Sequence, residues 1–166
     1  MSENVSTARS SADTASAALR VNRSLNDRAM DAIDHALGRP LNPMIESFRN
    51  HYVTDSDCTL AMEMRASLNW KEQRTRDGMT CFAVSDEGRR ASADHLKDIN
   101  DPHRAFIITF DGCEGVEVST SPAKARYAYW LEVSDSRTRL TFGEFLKRSS
   151  VRLADGHTRS AKGIGA

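Results

Sequence analysis

The chain has 166 residues, of which 39% are hydrophobic and 28% are charged, and its formal net charge at pH 7 is zero. This composition is typical of a globular protein with one ordinary domain or two small ones, and no apolar run approaches the eighteen or so residues of a membrane span. It excludes a membrane-spanning helix in this chain, and we expect no membrane partner. The three cysteines are widely spaced and form no CxxC pair, so we expect reduced thiols rather than a disulfide framework or a zinc site.

The chain begins with a stretch rich in Ser, Ala and Thr that predicts a flexible arm over residues 1–23. The first helix is predicted near residues 26–38, because apolar residues recur there at helical spacing and share one face. Asn26 is the expected N-cap, and Gly38 followed by Pro40 is a stop signal.

Two further helices are predicted before the pattern changes. The first is short and begins at Pro43, a residue favoured at the first helical position, with Met44 and Ile45 facing inward. The second covers roughly residues 57–68, and its apolar stripe extends to Leu68.

The period changes at Trp70, where "WKEQRTRDGMTCFAVSDEGRRA" predicts a β-hairpin that leads into a helix. Alternation in the second strand places Phe82 and Val84 on one face, and Ser85 is the expected cap of the helix. Three helices, a two-stranded wing and a closing helix are the order of a winged helix-turn-helix domain, which we predict over residues 24–98.

A polar linker is predicted over residues 99–104. Residues 105–154 predict the order β-β-α-α-β, a small module with an antiparallel sheet and helices on one face. The tail over residues 155–166 is expected to be disordered. The predicted fold class is therefore α+β: a winged-helix-like domain followed by a small antiparallel-sheet α+β module.

Capping signals and apolar spacing define the two helices of the second module. Ser121 before Pro122 caps the first, and Thr141 with Glu144 predicts a capping box for the second. The predicted core residues are Ala123, Tyr127, Trp130 and Leu131 in the first helix and Phe142, Phe145 and Leu146 in the second.

Two stretches resemble proteins of bacteriophages and prophages. "FRNHYVT", followed by a helix, a wing and "FAVSDEGRRA", resembles small phage accessory proteins, and this match covers roughly residues 30–92. "SPAKARYAYWLEVSD" with "FGEFLKRSSVRL" resembles a second phage-encoded module. The resemblance implies a phage or mobile-element origin and a location in the bacterial host cytosol, and it implies no reaction.

Charge is unevenly distributed. Residues 24–102 carry ten Lys and Arg against fourteen Asp and Glu, a net of −4, whereas residues 103–166 carry ten against seven, a net of +3. A protein that holds DNA by neutralising phosphates is usually basic where it docks, so the acidic first half argues against DNA binding. The candidate contacts to a partner or nucleic acid are Arg65, Lys71, Arg74, Arg76, Lys124, Arg126, Arg137, Arg139, Lys147 and Arg148. The candidate acidic contact face consists of Asp27, Asp31, Asp34, Asp55 and Asp57.

No stretch carries a catalytic or cofactor motif. His51 lies near Cys58 in the sequence, and the pair could indicate a metal ligand set or a base beside a nucleophile. More commonly, such a histidine hydrogen-bonds within a loop and such a thiol packs in a helix core. We expect these structural roles for His51 and Cys58. We therefore expect no catalytic residue, no cofactor and no metal site.

Binding without catalysis is the expected activity. The leading hypothesis is a non-catalytic phage-type accessory protein that binds a host or phage protein complex, such as an inhibitor of a bacterial CRISPR-like defence nuclease. In that hypothesis the basic second module is a contact surface, and acidic residues of the first half mimic phosphates. The alternative is a winged-helix DNA-binding transcriptional regulator, expected to act as a homodimer because half-site readers usually pair.

Overall fold

A computed structural model describes residues 19–45, 47, 49–137 and 139–154. These residues form five α-helices and two three-stranded antiparallel sheets, which confirms the α+β class. Residues 1–18 of the predicted arm and the predicted tail lie outside the described residues. The elements are α1 Arg28–Ala36, β1 Tyr52–Asp55, α2 Thr59–Ala66, β2 Trp70–Arg76, β3 Met79–Val84, α3 Asp86–Asp98, β4 Arg104–Phe110, β5 Cys113–Ser119, α4 Pro122–Ser136, α5 Phe142–Arg148 and β6 Ser149–Leu153.

The first sheet has the order β1-β3-β2, and the predicted hairpin forms its β2–β3 pair. The hairpin turns through Asp77 and Gly78, both with positive φ, as a two-residue type I′ turn requires. Thr80, Phe82 and Val84 are buried on the inner face of β3, so the predicted alternation is confirmed. Residues of α1 and α2 complete the core on this face.

Helix capping follows short-range polar chemistry. Oδ1 of Asp27, rather than Asn26 as predicted, accepts the N–H of Met30 at 3.0 Å, because α1 begins one residue later than expected. Ser85 caps α3 as predicted, and its Oγ accepts the N–H of Gly88 at 3.0 Å.

The segment before α2 differs from the prediction. Asn42 Oδ1 accepts the N–H of Met44 at 2.9 Å, which closes a turn where a second helix was expected. Met44 and Ile45 are exposed rather than inward-facing. The unpredicted strand β1 follows this turn and pairs with β3. Two helices and one strand therefore precede the hairpin in the described residues, and the winged-helix assignment stays a prediction.

Residues 19–21 pair with residues 39–41 after α1, so the expectation of a flexible arm is wrong for this part. Val21 is buried and its N–H donates to the carbonyl of Arg39 at 2.8 Å. The predicted linker also contacts the segment before α1, because Asp101 accepts a hydrogen bond from Arg23 at 3.1 Å. Its last residue, Arg104, begins β4.

The second sheet has the order β5-β4-β6, and the chain order of its elements is the predicted β-β-α-α-β. The hairpin between β4 and β5 turns through Asp111 and Gly112, again with positive φ at both residues. The helices cover one face of this sheet. The buried core between the helices and the sheet consists of Phe106, Ile108, Phe110, Ala125 and Phe145.

The prediction of the inward face of α4 is largely wrong. The helix packs on the sheet through buried Ala125 and through Tyr129, whose ring lies over Gly115 of β5. Because Gly115 has no side chain, it leaves room for the Tyr129 ring. The helix is therefore turned about its axis relative to the prediction, so that Tyr129 faces the sheet. The predicted core residues that are exposed instead are Ala123, Tyr127 and Leu131 of α4 and Leu146 of α5. Trp130, Phe142 and Phe145 pack in the core as expected.

Candidate binding surfaces

Three predicted contact residues, Lys71, Arg74 and Arg76, share the outer face of the first sheet, and we call them the basic strip. A break in the β2–β3 register at Gln73 is a β-bulge. The bulge places Arg74 and Arg76 on the same face as Lys71, which simple alternation would not do. In β3 the strip opposes Ala83, Cys81 and Met79, which alternate with the buried residues of that strand.

Arg65 is not part of this strip. Its Nε donates to Oε2 of Glu72 at 2.8 Å, its Nη1 to the carbonyl of Ser56 at 2.7 Å, and its Nη2 to Oγ1 of Thr80 at 3.1 Å. The Arg65 guanidinium, together with the hydroxyl of Thr75, lowers the pKa of the Glu72 carboxyl. The guanidinium therefore ties α2 to the hairpin, which accounts for this residue without a partner.

The outward side of α2 is mainly apolar. The side chains on this side of the helix point away from Ala61 and Met64, the buried residues of α2. Met62 is 56% exposed, and Leu68, two residues beyond the helix, is 82% exposed. Large apolar side chains exposed to this extent are candidates for contact with a partner. We call this surface the α2 face; it consists of Thr59, Met62, Glu63, Ala66 and Leu68.

The five acidic candidates do not form one face. Asp34 is fully buried between Arg23 and Arg39, so its prediction as a contact residue is wrong. Its position on the core side of α1 requires charge compensation that spacing alone does not reveal. Asp31 pairs with Arg39 at 2.7 Å, and this hydrogen bond lowers the pKa of its carboxyl. The exposed candidates are Asp27, which is the α1 cap, and Asp55 and Asp57.

The basic candidates of the second module separate into two groups. Arg126 is structural, because its Nη2 donates to the carbonyls of Leu146 at 2.6 Å and Ser149 at 3.0 Å. Lys124 is exposed in the first turn of α4, and Lys147 is exposed on α5. None of these three residues lines the depression described next.

The second group lies around an open depression of about 430 Å³. Nη1 of Arg137 donates to Oδ2 of Asp111 at 2.7 Å, and Nη2 of Arg148 donates to the same oxygen. The guanidinium carbons of both arginines lie 5.1 Å from the centre of the Phe110 ring. We call this feature the arginine depression; its lining is Ser136, Arg137, Arg139, Leu140, Glu144 and Arg148.

His51 and Cys58 have separate roles. Sγ of Cys58 accepts the N–H of Ala61 at 3.4 Å and lies 3.3 Å from Oγ1 of Thr54, so it is the N-cap of α2. These contacts, that with Thr54 first, lower the pKa of the Cys58 thiol. His51 is exposed at the start of β1. The described residues contain no group of three or more His, Cys, Asp or Glu that could hold a metal ion.

Two features of these surfaces were not predicted. The contact of Asp111 with two arginines depends on the packing of α4 and α5 against β4. The Asp111-Gly112 turn and the nearby excess of arginine are the only sequence signals for it. Leu68 was assigned to the core because its spacing fits the α2 stripe, whereas the helix ends at Ala66.

Evidence on the function of this chain comes from the chemistry of these surfaces. Within the described ranges, none of the helices is both long and apolar enough to cross a membrane. No protein-family model matches the chain, and neither the curated proteins nor the solved structures contain a significantly similar chain.

Proposed function

We propose that the chain is a non-catalytic binding protein that contacts a protein partner through the α2 face. The observation that carries the proposal is the chemistry of that face. Met62 and Leu68 are its most prominent side chains, and Glu63 is its only charged residue. The single arginine of α2, Arg65, donates hydrogen bonds to Glu72 and Thr80 of the hairpin.

A groove-reading helix has a different composition. Such helices present Arg, Lys, Asn or Gln to base edges, and the first turn often contacts phosphates. The α2 face offers none of these four residue types, and the carboxylate of Glu63 would repel the phosphate backbone. The face is therefore better suited to a protein than to duplex DNA.

Burial of the two apolar side chains supplies favourable free energy. Complete burial of a Met or Leu side chain contributes about 1.5–3 kcal/mol relative to exposure. Met62 and Leu68 together could therefore contribute as much as a small cluster of binding hot spots. The exposed fractions of both side chains leave most of that area available to a partner.

The wider role we propose is that of a phage-type accessory protein acting in the bacterial host cytosol. Its partner would be a host or phage protein complex, and inhibition of a CRISPR-like defence nuclease is the form we expect. Support for this role comes from the resemblance of "FRNHYVT" and "SPAKARYAYWLEVSD" to phage sequences. The exposed carboxylates of Asp55 and Asp57 could contact basic residues that otherwise hold nucleic acid.

A second candidate, a DNA-binding transcriptional regulator acting as a homodimer, is favoured by the basic strip. Lys71, Arg74 and Arg76 lie in a row on one face of a hairpin, and the Arg76 side chain is largely exposed. A wing of this kind could contact phosphates while another element reads bases. Within the described residues, α2 precedes this hairpin, and its one side chain of a base-reading type, Arg65, is hydrogen-bonded within the fold.

Two variants separate the candidates. The first replaces Met62 and Leu68 with glutamine, and its matched control replaces two exposed leucines of the second module, Leu131 and Leu153, with glutamine. The second replaces the basic strip with alanine. Each protein is tested for binding to random duplex DNA at two salt concentrations and for capture of specific proteins from host lysate.

Protein binding through the α2 face predicts that Met62→Gln with Leu68→Gln abolishes capture of a partner that the Leu131 and Leu153 control retains. It also predicts weak DNA binding that changes little in the alanine variant of the basic strip. Salt-sensitive DNA binding with a Kd below about 10 μM, lost in that variant, would instead establish the regulator. Equal capture by the α2-face variant and its control would contradict the protein-binding proposal.

A further inference from the structure

The arginine depression has more hydrogen-bond donors than the fold uses. Each guanidinium carries five N–H donors. Arg137 and Arg148 each engage one nitrogen with Oδ2 of Asp111. Arg139 is exposed and makes no hydrogen bond or ion pair with any residue in the described ranges. Most of the donors around the depression are therefore available to a ligand.

Two of the three arginines are already held in place. Their guanidinium groups lie over the ring of Phe110, which is buried beneath α5 in the core of the second module. Stacking on the aromatic face of Phe110 restricts the rotamers of Arg137 and Arg148. A ligand that binds them has less side-chain entropy to overcome than one that binds freely moving arginines.

We propose that the arginine depression binds a phosphate group, of the kind carried by a nucleotide or another phosphorylated molecule, between Arg137, Arg139 and Arg148. This site is independent of the α2 face, which lies in the other module. The volume of about 430 Å³ can hold a phosphate together with part of the group that bears it. The apolar side chain of Leu140 in the lining could contact that group.

The number of arginines favours phosphate over carboxylate. A carboxylate has two oxygens and one charge, and Asp111 already supplies one between Arg137 and Arg148. A phosphate monoester carries nearly two charges at pH 7 and three terminal oxygens, so it can also engage Arg139. The one acidic residue of the lining, Glu144, is engaged with the N–H and hydroxyl of Thr141 in the capping box.

Asp111 acts as an internal competitor for the site. Its Oδ2 occupies the position between two guanidinium groups that a phosphate oxygen would take. The hydrogen bonds from Arg137 and Arg148 lower the pKa of its carboxyl, so the residue is ionised at neutral pH. A phosphate must therefore displace this carboxylate or share the donors with it, and removal of its charge should tighten binding.

The test uses the full chain and three probes: inorganic phosphate, AMP and a ten-residue deoxythymidine oligonucleotide. Binding is measured by calorimetry at constant ionic strength, and amide chemical shifts locate the site. Three variants are compared with the wild type. Arg139→Ala removes a residue without intramolecular partners among the described residues, Asp111→Asn removes a charge at nearly constant volume, and Lys124→Ala is the control for an exposed cation outside the depression.

The proposal predicts that inorganic phosphate and AMP both bind and shift amides around Arg137 and Arg148. Arg139→Ala should weaken this binding about tenfold, Asp111→Asn should strengthen it several-fold, and Lys124→Ala should leave it unchanged. Equal weakening by Arg139→Ala and Lys124→Ala would overturn the proposal in favour of general charge attraction. Binding of the oligonucleotide alone, or of none of the probes, would also overturn it.

Discussion

Arg23 donates two hydrogen bonds to Asp34, from Nε at 2.9 Å and from Nη2 at 2.5 Å, and both side chains are buried. The same guanidinium donates to the carbonyl of Pro40 at 2.9 Å and to Asp101 at 3.1 Å. One arginine thus joins the segment before α1, the helix itself and the turn after α3. This contact helps to hold the segment before α1 against the rest of the first half.

Removal of the Asp34 charge should strongly destabilise the fold. Asp34→Ala leaves the buried Arg23 charge without its main partner, for which we expect a loss of about 3–5 kcal/mol in the free energy of unfolding. The measurement is urea unfolding at pH 7, and the control is Asp57→Ala at an exposed position. If the two variants lose similar stability, the Arg23–Asp34 pair does not have the structural role assigned to it.

The contact between Arg65 and Glu72 should make stability depend on pH. The pKa of Glu72 lies below its ordinary value of 4.5 in the folded protein, mainly because Arg65 donates to its carboxylate. The stabilising contribution is therefore present above the unfolded-state pKa and is lost as the pH falls through the folded-state pKa.

Glu72→Gln tests this dependence in urea unfolding between pH 7 and pH 3. The wild type should be the more stable protein at pH 7, and the difference should shrink as the pH falls below 4.5. A difference that is constant over the whole range would show that the Glu72 charge is not responsible.

The thiol of Cys58 should ionise at a lower pH than an ordinary thiol. Its pKa is lowered by the hydroxyl of Thr54 and the N–H of Ala61 at the start of α2. The test is the pH dependence of iodoacetamide alkylation in a protein with Cys81→Ser and Cys113→Ser. Thr54→Val should move the midpoint for Cys58 to higher pH, and an unchanged midpoint would contradict the role of Thr54.

Two glycines of the second module should respond in opposite ways to alanine. A Cβ at Gly115 would overlap the ring of Tyr129, whereas a Cβ at Gly143 in α5 meets no atom within 4 Å. We expect Gly115→Ala to destabilise the protein by about 1–3 kcal/mol through overpacking. Gly143→Ala should stabilise it by up to about 1 kcal/mol because alanine favours the helix. Thermal unfolding of both variants decides whether α4 packs on β5 through Tyr129.

The sequence predicted the elements whose signals are local. The β2–β3 hairpin was found because Asp77-Gly78 fits a type I′ turn and β3 alternates, and the caps Ser85, Ser121 and Thr141 follow from hydrogen bonds over three residues. Strand β1 was missed because its four residues gain their stability from pairing with β3, which lies more than twenty residues away.

The candidate surfaces were predicted less well, because side-chain direction depends on tertiary packing. The bulge at Gln73 aligns the basic strip, and no sequence signal locates it. Arg65 and Arg126 were counted as contact residues, but both donate to groups inside the fold. Arg137, Arg139 and Arg148 were included in the predicted set, yet their convergence around one depression depends on how α4 and α5 meet.

The most direct test of the proposed protein contact is site-specific photo-crosslinking in the bacterial host. A benzophenone amino acid is placed at Leu68 on the α2 face, or at Leu131 on the second module as a control at another exposed leucine. We predict that irradiation joins the protein with the probe at position 68 to one discrete protein partner and that the probe at position 131 does not capture it. No crosslinked protein at position 68, or the same products from both positions, would contradict a protein contact through the α2 face.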